Sequence, residues 1–126
     1  MAKPFRFAAR ARSFHYAGVG LRTVLFTQHN AWIHAAATVA VGVAGGVCRL
    51  APAEWCWVVL AVAGVWTAEA FNTALELLAD AVSPAPHPLV GTAKDCAAAA
   101  VLMAATGAGV IGFLVFAPRV IALWRG

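Results

Sequence analysis

Glu69, Asn72, Glu76 and Asp80 are the residues of this sequence whose types and spacing could do chemistry. They lie in WTAEAFNTALELLADA, Trp66 to Ala81, which continues an apolar run begun at Trp55. At about 100° per residue, offsets of 0, 3, 7 and 11 fall within roughly 80°, so the four side chains share one stripe of a helix. Carboxylate oxygens on such a stripe suit Mg²⁺, a hard cation that usually shares its coordination with nucleotide phosphates. Lys94, followed by Asp95, would steady phosphate charge as a point cation. Glu69 lies deepest in the apolar run, where it could accept a proton from a hydroxyl at the membrane interface. Together these groups describe phosphoryl transfer, which depends on positioning and charge neutralisation. Neither a Walker GxxxxGK[ST] run nor a kinase glycine-rich loop occurs in the chain, so a nucleotide site here needs another design.

The elements that must position these groups are helices in a bilayer. The 126 residues are 63% hydrophobic and 11% charged, against about 45–50% and 25% in soluble domains. Three apolar segments, 30–48, 55–78 and 95–117, are long enough to cross a hydrocarbon core of about 30 Å. They lack the alternation of barrel strands, so helices are expected. Residues 1–29 precede the first span. Within them Phe7, Phe14, Leu21, Val24 and Leu25 alternate with Arg6, Arg10 and Arg22 in the pattern of an amphipathic interfacial helix, which Gly18 and Gly20 weaken or bend. The fold class is therefore an all-α membrane protein forming one domain, with three transmembrane helices and an N-terminal surface helix. No apolar h-region separates the early basic residues, so the N-terminus is expected to stay attached.

Basic residues set the orientation. With the N-terminus in the cytoplasm, Lys and Arg divide six inside and three outside, and the loop 81–94 is cytoplasmic. The formal net charge of +4 fits membrane topology and anionic headgroups; no nucleic-acid partner is expected. Gly42 and Gly46 form a small-xxx-small pair for close helix contact. Pro52 can open the second span, Pro84, Pro86 and Pro88 stiffen the loop around His87, and Pro118 is expected to stop the last span. Asp95 has a helix N-terminus as its plain explanation. Gln28, His29, Asn30 and His34 read as polar residues at the mouth of a span, with Trp32 as an aromatic anchor. Cys48, Cys56 and Cys96 make no metal-binding spacing and suit packing, although Cys48 and Cys56 flank one short connection and could meet. For Glu69 such an explanation is weaker, because a carboxylate at this depth costs about 2.5–3.5 kcal/mol to insert.

The segment EAFNTALELLAD, followed 13 residues after Asp80 by AKD at Ala93 to Asp95, resembles the signature of the small bacterial integral membrane diacylglycerol kinases and their undecaprenol kinase relatives. The likeness runs from about Ser13 to Phe116, through SFHYAGVGLR, TQHNAWIH and the spacing of the three spans. The resemblance implies a homotrimer in the inner membrane, with active sites where subunits meet. It also implies ATP- and Mg²⁺-dependent phosphorylation of the hydroxyl of diacylglycerol to give phosphatidic acid, or of undecaprenol. By motif, Glu69 corresponds to the general base, Glu76 to a metal ligand near the ATP phosphates, and Lys94 and Asp95 to nucleotide contacts. Tyr16 and His87 match more loosely to the nucleotide, Asn72 and Asp80 to supporting polar positions, and Arg22 and Asn30 to the entrance for the lipid. A small oligomeric transporter would explain Glu69 as a cation site but not the inner cluster of Glu76, Asp80, Lys94 and Asp95.

One position departs from the pattern. Gln28 stands where many relatives carry a glutamate that helps Glu76 hold the metal, a change that also raises the alternative of a kinase fold without activity. An amide offers a carbonyl oxygen but no negative charge, so metal binding should lean on Glu76 and on ATP. Replacing Gln28 with Glu should lower the Mg²⁺ concentration needed for half-maximal transfer; an unchanged requirement would contradict this assignment.

Overall fold

A backbone crossing lipid must satisfy its own hydrogen bonds, and this chain does so in long helices joined by very short connections. The computed structural model describes residues 7–125. They form α1 (Phe7–Thr27), α2 (His29–Val47), α3 (Pro52–Val82) and α4 (Pro88–Arg125), with no strand among the described residues. Lys3 and Arg6 lie outside the described residues. Helices α2, α3 and α4 are each long and apolar enough to cross a membrane, as expected. They overrun the expected spans, however: at 1.5 Å per residue α3 is about 46 Å long and α4 about 57 Å.

Three local expectations need correction. Pro118 does not stop the last span, since α4 continues through it to Arg125. Proline removes one backbone N–H bond, which neighbouring turns of a membrane helix absorb. Asp95 is not at a helix start, because Pro88 opens α4 and places Asp95 in the second turn, beyond the reach of capping. Gly18 and Gly20 leave α1 unbroken; the chain bends instead at Gln28, whose extended backbone (φ −107°, ψ 122°) separates α1 from α2. The cysteines are all free, with Cys56 and Cys96 exposed, so Cys48 and Cys56 do not meet in a disulfide.

The turn between α2 and α3 is sharply specified. Leu50 donates its N–H to the Gly45 carbonyl at 3.0 Å and Arg49 donates to Gly46 at 3.2 Å, closing a Schellman motif with Arg49 at φ 50°. Pro52 opens α3, as its fixed φ favours. Glu54 accepts the Ala51 N–H at 2.7 Å, capping α3, and also holds Arg119 of α4, with Arg119 Nε to Glu54 Oε1 at 3.1 Å. At the other end of this antiparallel pair, Lys94 Nζ of α4 lies 3.0 Å from Asp80 Oδ1 of α3. Helices α3 and α4 make the most extensive contact in the fold, and ion pairs tie both of its ends.

The distribution of polarity reverses that of a soluble domain. Phe71, Leu78, Leu102 and Phe113 are exposed, whereas Glu69, Asn72 and Thr73 are buried. Lipid accounts for the exposed apolar side chains, and burial places the polar ones against protein. The expected close contact at Gly42 and Gly46 is not made within the chain, where both face open space. The tight approach is at Gly45, where an added Cβ would lie 2.6 Å from Trp55 Cη2 and 3.1 Å from Leu50 Cδ1. Overpacking of this kind costs about 1–3 kcal/mol. Gly45→Ala should therefore lower thermal stability in detergent measurably, while Gly46→Ala should not; equal effects would refute the contact.

Candidate active site

Helix α3 carries the site because its i, i+3 and i+4 positions set one face towards the other helices. Over the two turns between Glu69 and Glu76 the chain rises about 10 Å, and the stripe resolves into three groups at different depths.

The deepest group is Glu69. It is 0% exposed, and neither carboxylate oxygen has a hydrogen-bond partner. His34 of α2 approaches it, with Nε2 3.6 Å from Glu69 Oε2. Thr73 donates its hydroxyl to the Glu69 backbone carbonyl at 2.9 Å, which fixes the helix here but leaves the carboxylate free.

The middle group joins Gln28, Asn72 and Glu76. Gln28 Nε2 donates to Glu76 Oε2 at 2.9 Å, and Asn72 Nδ2 donates to Glu76 Oε1 at 3.0 Å. Gln28 reaches Glu76 because the break between α1 and α2 falls on it, turning its side chain towards α3. The Asn72 Oδ1 atom is buried without a partner. No three His, Cys, Asp or Glu side chains gather as a metal site among the described residues. The oxygens of Glu76, Asn72 and a turned Gln28 amide nevertheless match the donor chemistry of a hard divalent cation, and the orphaned Asn72 oxygen gives that match a structural basis. With so few protein ligands, such a cation would take the rest of its shell from phosphate and water.

The outer group surrounds the Asp80–Lys94 pair. Asp80, His87 and Lys94 line a cavity of about 500 Å³ together with Ser83, Pro84 and Pro86. Its floor is stiff: Ser83 donates its N–H to the Ala79 carbonyl and its hydroxyl to the Ala85 carbonyl, both at 2.9 Å, and Gly91 donates to the His87 carbonyl at 3.0 Å. Asp80 therefore holds the ammonium of Lys94 beside a cavity wide enough for part of a nucleotide.

The residues expected from the sequence thus divide. Gln28, Asn72 and Glu76 come together, as do Asp80, His87 and Lys94, with Glu69 above them. Tyr16, Arg22, Asn30 and Asp95 are exposed and make no hydrogen bond or ion pair with these groups within one chain. Tyr16 rests against His15 at 5.8 Å between ring centroids, and the Arg22 guanidinium sits 5.7 Å from the Phe26 ring centre. Sequence reasoning passed over His34, treating it as a residue at the mouth of a span. The signal was present: an ionisable side chain inside an apolar helix, the same feature that drew attention to Glu69.

The prokaryotic diacylglycerol kinase family matches residues 15–116. An undecaprenol kinase of Bacillus subtilis is 38% identical over 108 residues, covering 86% of this chain and 88% of the relative. A diacylglycerol kinase of Synechocystis is 38% identical over 112 residues, covering 88% of this chain and 64% of the relative. No solved structure matches the chain. The chain is an integral membrane phosphotransferase with an alcohol group as acceptor, and it belongs to the prokaryotic diacylglycerol kinase family.

Proposed function

We propose that the protein transfers the γ-phosphoryl group of ATP to the hydroxyl of diacylglycerol, giving phosphatidic acid, with Mg²⁺ bound alongside the nucleotide. The observation that carries this reading is Glu69: a fully buried carboxylate with no hydrogen-bond partner, less than one turn from Asn72 and two turns from Glu76 on the same face of α3. A carboxylate whose oxygens carry no hydrogen bond leaves them free to accept one from a substrate hydroxyl. A lipid hydroxyl reaching Glu69 from the membrane side, and phosphates bound from the water side, would meet between the two levels.

In this reading Glu69 accepts the hydroxyl proton as the lipid oxygen attacks the γ-phosphorus. Glu76, Asn72 and Gln28 hold the metal side of the phosphates, and Lys94, positioned by Asp80, counters their charge. Bound Mg²⁺ would supply neutralisation of the phosphate oxygens. His87 lines the cavity that takes the nucleotide. Tyr16, Arg22, Asn30 and Asp95 are assigned to the nucleotide and the lipid entrance through a second copy of the chain, because each is exposed and unattached to the site within one chain. A homotrimer in the inner membrane, with the N-terminus and the loop 83–87 in the cytoplasm, meets that need and agrees with the distribution of Lys and Arg.

Undecaprenol is the second acceptor to consider, favoured by the Bacillus subtilis relative of that name, which this chain covers almost end to end. Both lipids present a primary hydroxyl. Transfer of radiolabel from [γ-³²P]ATP into each purified lipid separates them, with faster labelling of diacylglycerol expected and preferential labelling of undecaprenol reversing the assignment. In the same assay Glu69→Gln should reduce the rate about 10²–10⁴-fold, the contribution of a general base, without loss of assembly. Full activity in that variant would remove Glu69 from the chemistry.

A further inference from the structure

The polar cluster around Glu69 has a second half, on α2, that the phosphoryl-transfer reading does not use. His34 Nε2 and both Glu69 oxygens are buried without a hydrogen bond, and Nε2 lies 3.6 Å from Glu69 Oε2. The two side chains are 15% and 1% exposed. Orphaned polar atoms at this level of burial are costly, and two of them facing one another across a helix interface need an explanation.

The helix that carries His34 is itself tied to α3. Thr38, one turn along α2, donates its hydroxyl to the His34 carbonyl at 2.7 Å and accepts the Trp66 indole N–H at 3.0 Å. The Trp66 ring stands edge-on to the imidazole, with centroids 6.4 Å apart and planes at 70°. His34 and Thr38 are four apart on α2, and Trp66 and Glu69 three apart on α3, so two helical repeats face each other across the α2–α3 interface. His34 and Thr38 also line an apolar cavity of about 310 Å³ with Val58, Val65, Ala105 and Ala108, which sets the imidazole between that space and Glu69. No cavity-lining residue of α4 is titratable, and the titratable side chains of α1 from Arg10 to Arg22 are exposed, so His34 is the group that bears on the carboxylate here.

We infer that His34 is a positioning residue for Glu69: closing the 3.6 Å gap when substrate is bound, its Nε2–H holds one carboxylate oxygen and leaves the other aimed at the lipid hydroxyl. The inference rests on Glu69 as the base. During transfer the lipid O–H breaks and its proton goes to the free Glu69 oxygen, the lipid oxygen bonds to the γ-phosphorus, and the bond from that phosphorus to the β–γ bridging oxygen breaks to release ADP. His34 takes no part in bond making. It restricts the carboxylate to one orientation, and the Thr38–Trp66 link ties its helix to α3. Lost orientation alone can cost about 10²-fold in rate.

The test compares His34→Leu, which keeps bulk but no donor, with His34→Gln, whose amide N–H can occupy the place of Nε2–H, each alone and with Glu69→Gln. In detergent with diacylglycerol and [γ-³²P]ATP, His34→Leu should lower kcat about 10–100-fold and leave KM for ATP within about twofold. His34→Gln should recover most of the loss. In the Glu69→Gln background, His34→Leu should reduce the residual rate by less than about twofold, since the group it orients is gone. Wild-type kcat in His34→Leu, failure of Gln to rescue, or an equal fold-loss in both backgrounds would overturn the inference. If His34→Leu does not assemble, His34→Phe replaces it with a ring that has no donor. Full transfer by Glu69→Gln would instead defeat the base assignment, a separate outcome from wild-type rates in the His34 variants beside an inactive Glu69→Gln.

Discussion

A carboxylate enclosed within a membrane-spanning helix sets the terms for the rest of this fold. Inserting Glu69 at that depth costs about 2.5–3.5 kcal/mol on insertion scales, and the cost is avoided only where protein replaces lipid around it. Helix α2 supplies that protein through His34, and α3 supplies Thr73 and Trp66. The carboxylate is screened from lipid but left without a hydrogen bond. That combination costs stability and leaves both oxygens free to accept a hydrogen bond.

The remaining polar groups follow from how the helices are held in register. Ion pairs at both ends of the antiparallel α3–α4 pair, Glu54 with Arg119 and Asp80 with Lys94, resist sliding of one helix along the other. Sliding would change the depth of Lys94 relative to Glu76. At the opposite side, Gln28 lies at the junction of α1 and α2 and bonds Glu76 from there, so the N-terminal helix is coupled to Glu76. The two carboxylates of α3 thus sit in different surroundings: Glu69 unbonded and buried, Glu76 bonded twice and half-exposed.

Much of this was legible in the sequence, for reasons tied to particular residues. Segment length and hydropathy give the three spans, because the bilayer imposes both. The shared face of Glu69, Asn72, Glu76 and Asp80 follows from helical geometry alone. The pairing of Gln28 with Glu76, 48 residues apart, does not, since tertiary contact leaves no periodicity; only the family pattern pointed to it. Pro118 was misread because the rule that proline ends helices comes from chains with water as an alternative partner, which lipid does not offer. Gly45 was missed in favour of Gly42 and Gly46 because spacing shows which faces are small, not which face meets a neighbour. His34 looked interfacial from its position near the start of a span, and its role depends on a helix that crosses beside it.

The central claim is the division of labour along α3, with Glu69 serving proton transfer and Glu76 serving the nucleotide and its metal. Equilibrium binding of Mg·ATP to the assembled Glu69→Gln and Glu76→Gln variants tests it most directly. The account predicts that Glu69→Gln binds Mg·ATP as tightly as the unmodified protein while Glu76→Gln binds it much more weakly. Loss of binding in Glu69→Gln, or unaltered binding in Glu76→Gln, would contradict it.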